Sequence, residues 1–172
     1  MRMMKTTIVT TVCLLMLAFG STHSAMVLVS MSLEKTVREA GRVLCAKVLD
    51  VRTGEDSDGL PATWVTIAVK RSLKGGAESR IEIKQFGQAS GASGKFSVQV
   101  PHVPQYTVDE ELVLFLRHES ARGFTSPVGF ENGVYRVRLE EGRRVARTRN
   151  GQEGTALDRL LSEIERIVAG SK

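Results

Sequence analysis

Cysteine is scarce in this chain of 172 residues, which contains only Cys13 and Cys45. Cys13 lies in an amino-terminal segment that we expect to be removed, so the mature protein would keep one cysteine. A single cysteine excludes an intramolecular disulfide, even in an oxidising compartment. The fold must therefore be held together by packing and hydrogen bonding alone.

Aromatic residues and long apolar runs are also few. Aromatic side chains make up 5% of the chain, and Trp64 is the single tryptophan. The apolar stretch Ile8–Phe19 is shorter than the ~20 residues that a helix needs to cross a bilayer. We therefore expect no stable membrane insertion of the mature protein.

The first 24 residues have the three parts of a secretory signal peptide. Two basic residues come first, the apolar core Ile8–Phe19 follows, and small polar residues lead to Ser24. We predict residues 1–24 as a signal peptide, with cleavage after Ala25 as the alternative. The mature protein is then expected in the periplasm or outside the cell.

The charge of the chain is weakly positive, with 24 basic and 19 acidic residues. So mild an excess does not require a nucleic-acid partner, and we predict none. Six arginines are concentrated in residues 136–149, where Glu140 and Glu141 interrupt them. Such a cluster is usually a solvated surface, and an anionic contact through Arg143 and Arg144 is the functional alternative.

A short amino-terminal helix is predicted before the first strand. Ser32 can accept a hydrogen bond from the first exposed amide groups, and Gly41 can end the helix. Leu33, Val37 and Ala40 fall on one stripe, which we expect to lie against the sheet that follows.

A second helix is predicted in residues 151–172. Thr155 and Asp158 form a candidate capping box at its start. Apolar residues then recur at helical spacing, namely Leu157, Leu160, Leu161, Ile164 and Val168. Amphipathic helices of small domains usually cover their own core, so we expect packing on the sheet and keep partner binding as the alternative.

Between the helices, apolar residues mostly follow the two-residue period of β-strands. The predicted strands are 43–51, 62–73, 80–86, 96–100, 112–116, 124–130, 134–139 and 143–148. Strands 43–51 and 112–116 are apolar on both faces, which indicates central or core positions. Residues 25–150 therefore form one mainly β domain. We predict a small antiparallel OB-like β-barrel of five to seven strands, because closure satisfies the strand edges.

Few residues are candidates for catalysis or metal binding. Cys45 lies in a strand that is apolar on both faces. This setting favours a buried, hydrophobic role for Cys45 over that of a nucleophile paired with His102 or His118. The acidic loop 53–61 lacks the distal glutamate of a calcium loop. The adjacent acids 109–111 point apart, and two histidines without a third ligand are a poor zinc signal. We predict no catalytic residue, cofactor or metal.

The loop 87–95 is rich in glycine and serine. It lacks the lysine-serine ending of a P-loop and leads into a strand, which argues against nucleotide binding. Its Gly91, Ser93 and Lys95 are instead candidate partner contacts. Trp64, on the polar face of its strand, is another candidate, with a covering role for its ring as the alternative interpretation.

Several short motifs follow one another in a recognisable order between Ser32 and Leu139: a Lys-Gly turn, Pro-x-x-Pro-x-Tyr, Val-Leu-Phe-Leu and Gly-Val-Tyr-Arg-Val. The residues that carry the pattern are Leu33, Ala40, Val48, Val69, Leu73–Gly75, Val100, Pro101, Pro104, Tyr106, Glu111–Leu116 and Gly133–Val137. In this pattern the chain resembles a loose group of small exported bacterial proteins without an assigned activity.

The order of strands is also similar to that of a simplified netrin or metalloproteinase-inhibitor module, and this resemblance implies an OB-like barrel. Those inhibitors chelate the zinc of their target with an amino-terminal cysteine and hold the barrel with disulfides. This chain keeps only Cys45 after the predicted signal, so the inhibitory mechanism finds no matching residues.

These features together predict a noncatalytic periplasmic or secreted binding module, whose partner is an envelope protein or a polysaccharide. One alternative is a protease inhibitor that presents a loop. The second alternative is a hydrolase that uses Cys45 with His102 or His118.

Overall fold

The computed structural model describes residues 31–76, 78–87, 100–149, 151 and 154–170. Within these residues the chain forms two α-helices and seven strands. The helices are α1 (Leu33–Glu39) and α2 (Leu157–Ala169). The strands are β1 (Arg42–Glu55), β2 (Pro61–Lys74), β3 (Arg80–Phe86), β4 (Glu111–Leu116), β5 (Val134–Glu140), β6 (Arg143–Arg147) and β7 (Thr155–Ala156).

All seven strands lie in one antiparallel sheet with the order β3-β2-β1-β4-β5-β6-β7. The central positions predicted for β1 and β4 are confirmed. The predicted closed barrel is wrong, because β5, β6 and β7 continue the sheet beyond β4 and the edge strands β3 and β7 do not pair. Two isolated bridges, Lys84 with Phe124 and Leu116 with Pro127, link β3 to the end of β4 without closing the sheet.

The two faces of the sheet bury separate clusters. The helix-side core combines strand residues with the apolar sides of α1 and α2, and its strand members include Val43, Cys45, Val113, Phe115 and Ala146. The opposite core consists of Leu44, Ala46, Val48, Val65, Ile67, Ile83, Tyr106, Leu112, Leu114, Leu116 and Val134. Burial on both faces explains why β1 and β4 read as continuous apolar runs.

The amino-terminal helix forms as predicted. The Ser32 hydroxyl oxygen accepts a hydrogen bond from the Lys35 amide at 3.3 Å. Val37 and Ala40 are buried, and Leu33 packs against the same helix-side core. The helix ends at Glu39, so the predicted stop at Gly41 is correct to within two residues.

The carboxy-terminal helix packs on the sheet of its own chain, as predicted. Its buried residues are Leu157, Leu160, Leu161, Ile164 and Ile167, with Val168 partly buried. The predicted capping box is wrong, because Thr155 pairs with Ala146 in β7 and Ala156 becomes an N-cap without a side-chain hydrogen bond.

The predicted strand 124–130 is wrong. Single bridges occur at Phe124 and Pro127, and Phe130–Gly133 form a 3-10 helix. The φ angles of Gly129 and Phe130, 64° and 55°, are left-handed, which excludes these two residues from a strand.

Two predictions concern residues outside the described ranges. The predicted signal peptide and residues 96–99 of the predicted strand 96–100 lie outside the described residues. Among the residues that are described, no helix is both long and apolar enough to span a membrane.

Candidate functional site

β5 and β6 place arginines together on the sheet face opposite the helices. Val137 packs on the helix-side core, so its neighbours Arg136 and Arg138 point to the opposite face. The register pairs Arg136 with Arg147 and Arg138 with Val145. Because cross-strand partners share a face, the three arginines lie on one surface.

This surface forms a wall of an open cleft of about 470 Å³, which we call the arginine cleft. It is lined by Gln105, Arg136, Arg138, Glu140, Val145, Arg147, Thr148, Arg149 and Gly151. A second cleft of about 440 Å³, the loop cleft, is lined by Val100, Pro101, His102, Val103, Gln105, Glu131 and Arg149. The two clefts therefore meet at Gln105 and Arg149, which line both.

A buried carboxylate holds two arginines at this junction. Glu131 is 3% exposed, and its oxygens accept hydrogen bonds from Arg136 Nη1 at 3.0 Å and Arg149 Nη1 at 3.1 Å. Arg136 also pairs through Nε with Glu110 at 2.9 Å and donates through Nη2 to the Gln105 carbonyl at 3.0 Å. All three guanidinium nitrogens of Arg136 are thus engaged, which fixes its orientation.

A second pair orients Arg147. Its Nε and Nη2 donate to the two oxygens of Glu140 at 3.0 and 2.8 Å. The hydrogen bond from Arg147 holds the pKa of Glu140 below its usual range, and Glu140 in turn raises the pKa of Arg147. This two-point contact is the strong geometry for a guanidinium and a carboxylate.

Arg138 is different from its neighbours. It is exposed, and in the described part of the chain no group accepts a hydrogen bond from it. Val145 lies opposite it, Arg143 and Arg147 are its diagonal neighbours, and Glu140, whose pKa its charge helps to lower, is already paired with Arg147. Arg143 and Arg147 repel Arg138 across these diagonals, so stability alone does not explain this arrangement.

The cleft has an excess of positive charge. Four arginines line it, and Glu110, Glu131 and Glu140 are the carboxylates that pair with them. Among the described residues, the lining arginines therefore outnumber these carboxylates by one, and the Arg149 side chain is 64% exposed. An incoming anion would supply the missing negative charge.

The two arginines predicted as contacts have different positions. Arg143 is exposed on the face that carries Arg147, beside the arginine cleft, but does not line it. Arg144 turns the other way and donates to Glu111 at 2.6 Å, while Lys70 contacts the other oxygen of Glu111. These hydrogen bonds, first from Lys70 and then from Arg144, lower the pKa of Glu111.

Trp64 lies in another part of the sheet, opposite Arg52 of β1 and Lys84 of β3. The Arg52 guanidinium is 5.7 Å from the centre of its ring. Trp64 lines neither cleft, so the structure does not bring it together with the predicted arginines. The other predicted contacts, Gly91, Ser93 and Lys95, lie outside the described residues.

Gln105, Glu131, Arg138 and Arg149 are not among the contacts predicted from the sequence, although the arginine-rich segment as a whole was noted. A signal for Arg138 is present: the Glu141-Gly142 turn pairs residues 136–140 with 143–147, which places alternate arginines on one face. No local pattern joins Glu131 to Arg149, which is 18 residues away.

Cys45 is buried in the helix-side core, as predicted. Burial raises the pKa of its thiol, which disfavours the reactive thiolate. His102 lines the loop cleft, and the His118 ring lies against Gly41, so closely that a Cβ on Gly41 would be 2.9 Å from it. Within the described ranges, no group of three or more His, Cys, Asp or Glu side chains could hold a metal ion.

The adjacent acids 109–111 contact different cations, as expected from residues that point apart. Asp109 pairs with Lys47 at 2.6 Å, Glu110 pairs with Arg136, and Glu111 faces Lys70 and Arg144. They therefore do not form a shared acid site.

Neither a protein-family model nor a curated protein matches this chain. The functional proposal therefore rests on the geometry of the two clefts.

Proposed function

We propose that this protein is a noncatalytic binding module that holds an anionic group of its partner in the arginine cleft. The observation that carries the proposal is the exposed guanidinium of Arg138, which has no hydrogen-bond acceptor among the described residues and lies diagonally between Arg143 and Arg147. Guanidinium groups recognise carboxylates and phosphates through two parallel hydrogen bonds, and they keep their charge at all physiological pH values.

The neighbouring arginines are oriented before any ligand arrives. Arg136 is held by Glu110, Glu131 and the Gln105 carbonyl, and Arg147 is held by Glu140. Fixed side chains lose little conformational entropy on binding, so an anion in the cleft keeps more of the interaction free energy. This preorganisation supports a binding role for the cleft.

We also propose that the protein is exported and that its sheet is related to the OB fold. The signal-like amino-terminal segment supports the periplasm or the cell exterior as the compartment, and a component of the bacterial envelope as the partner. The burial of Cys45 and the separate pairing of acids 109–111 support a noncatalytic role.

Retention on an immobilised polyanion, dextran sulfate, tests the proposal. Arg138→Gln should weaken binding about tenfold, because one charge-assisted contact is worth roughly 1.5 kcal/mol or more. Arg80→Gln is the matched control, since Arg80 is also an exposed strand arginine but lies on β3. Equal losses in both variants would mean that only the net charge matters, and would sink the proposal.

A further inference from the structure

The loop cleft differs from the arginine cleft in the chemistry of its walls. Its polar lining residues are His102, Gln105, Glu131 and Arg149. Arg149 is already paired with Glu131, so the described lining of this cleft has no excess charge, and an amide and an imidazole suit neutral hydroxyl groups. The loop cleft therefore favours a neutral, hydroxyl-bearing group.

The junction of the clefts offers both donors and acceptors. Arg149 is tied to Glu131 through Nη1, and its largely exposed side chain lines both clefts. The Gln105 carbonyl accepts from Arg136, which holds the main chain, and Gln105 lines both clefts. A ligand that crosses the junction meets a cation on one side and an amide on the other.

The wall of the loop cleft also contains a strained residue. His102 has a φ angle of 65°, in the left-handed region that residues with side chains rarely adopt. Conformations of this kind persist where surrounding structure holds them, and they concentrate at functional sites. His102 is also one of the residues that line the loop cleft.

From these walls we infer that the ligand is a polysaccharide that contains uronic acid residues. The carboxylate of one sugar occupies the arginine cleft, and hydroxyl groups of the adjoining sugar occupy the loop cleft. Each volume falls within the roughly 300–1,000 Å³ typical of small-ligand sites. The inference rests on the proposed function, because it names the ligand class for the same site.

An acidic peptide suits this site less well. Each residue of a polyglutamate adds a carboxylate, and a carboxylate in the loop cleft would meet Arg149, whose charge is already paired with Glu131. Its flexible side chains also lose more conformational entropy on binding than a sugar ring, which carries its carboxylate and hydroxyl groups rigidly.

Titration calorimetry of the exported form of the chain tests the inference with three probes. These are a linear oligogalacturonate, the same oligosaccharide with its carboxylates reduced to alcohols, and a polyglutamate of matched charge. We expect the oligogalacturonate to bind and carboxylate reduction to weaken binding at least tenfold. Gln105→Ala should weaken oligogalacturonate binding several-fold and leave any polyglutamate binding unchanged.

His102→Asn serves as a second variant, because asparagine tolerates the left-handed backbone while the imidazole is lost. It should also weaken oligogalacturonate binding several-fold, and circular dichroism checks that both variants are folded. Polyglutamate binding as tight as that of oligogalacturonate, and equally sensitive to Arg138→Gln, would overturn the sugar inference and leave the proposed function standing. Unchanged oligogalacturonate affinity in both variants would also overturn it. Failure of every anion to bind the unmodified chain would overturn the proposed function as well.

Discussion

Two charged regions of the sheet differ in how completely their charges are paired. Near the end of the β1–β2 hairpin, Asp56 contacts Lys84 at 2.7 Å and Arg52 contacts Glu82 at 2.6 Å. On the β5–β6 hairpin, Arg138 has no hydrogen-bond acceptor among the described residues. We call the first the balanced region, because these four charges form two ion pairs. The second is the unbalanced region, because its positive charges are in excess among the described residues.

The balanced region is explained by its effect on the fold. Asp56 accepts hydrogen bonds at Oδ1 from the amides of Asp58 and Leu60, at 2.9 and 2.8 Å, and its Oδ2 contacts Lys84 of β3. The side chain thus closes the turn and ties it to the next strand. Arg138 makes no such contact with the described residues, and this difference supports the proposal that the arginine cleft holds a ligand.

The largest effect on stability is expected from Glu131→Gln, in the unbalanced region. The substitution leaves Arg136 partly buried and without one of its charge partners. Breaking a buried ion pair costs roughly 3–5 kcal/mol, and the exposure of Arg149 reduces this to about 2–3 kcal/mol. Urea unfolding monitored by circular dichroism measures the change.

Glu119→Gln is the control for that measurement, because Glu119 is an exposed loop residue and loses the same charge. Its free energy of unfolding should stay within about 0.5 kcal/mol of the unmodified protein. A Glu131→Gln variant as stable as this control would show that the buried carboxylate does not hold the cleft together.

A smaller loss of stability is expected from Asp56→Asn in the balanced region. Asparagine keeps the side-chain oxygen that accepts from the Asp58 and Leu60 amides, so the substitution removes mainly the contact with Lys84. The midpoint of urea unfolding at pH 7 should fall, by less than for Glu131→Gln. An unchanged midpoint would show that the ion pair between Asp56 and Lys84 does not stabilise the turn.

The same pair should depend on pH. The hydrogen bond from Lys84 holds the pKa of Asp56 below its usual range of about 4. The stabilisation is therefore fully present above that usual value and is lost as the pH falls through the lower pKa of the folded state. The difference in stability between the unmodified protein and Asp56→Asn should shrink when unfolding is measured from pH 5 down to pH 2.

Local patterns predicted most of the fold. Alternation located β2, β3 and β5, apolar runs located β1 and β4, and helical spacing located α2, because in these elements burial follows the local pattern. Closure of a barrel depends on which edges meet, which no local period encodes. The strand predicted at 124–130 was wrong: it is reduced to single bridges at Phe124 and Pro127, and Gly129 and Phe130 adopt left-handed backbone.

The site was predictable only in part, for the same reason. The arginines of β5 and β6 are visible in the sequence, and the turn between them sets their register. The loop cleft depends on contacts across the fold, such as the one between Arg136 and the Gln105 carbonyl. Arg144, which the sequence places beside Arg143, is removed from the site by its contact with Glu111.

The smallest effect on stability is expected from Arg138→Gln, and its sign separates the two regions. Removing Arg138 relieves repulsion from Arg143 and Arg147, so the free energy of unfolding should stay unchanged or rise by up to about 0.5 kcal/mol. Arg52→Gln removes an exposed pair with Glu82 and should lower it by up to about 0.5 kcal/mol. Both differences should diminish in 1 M salt, which screens exposed charges. A loss of stability for Arg138→Gln equal to that for Arg52→Gln would make Arg138 a structural residue, and its excess charge would then no longer argue for a ligand.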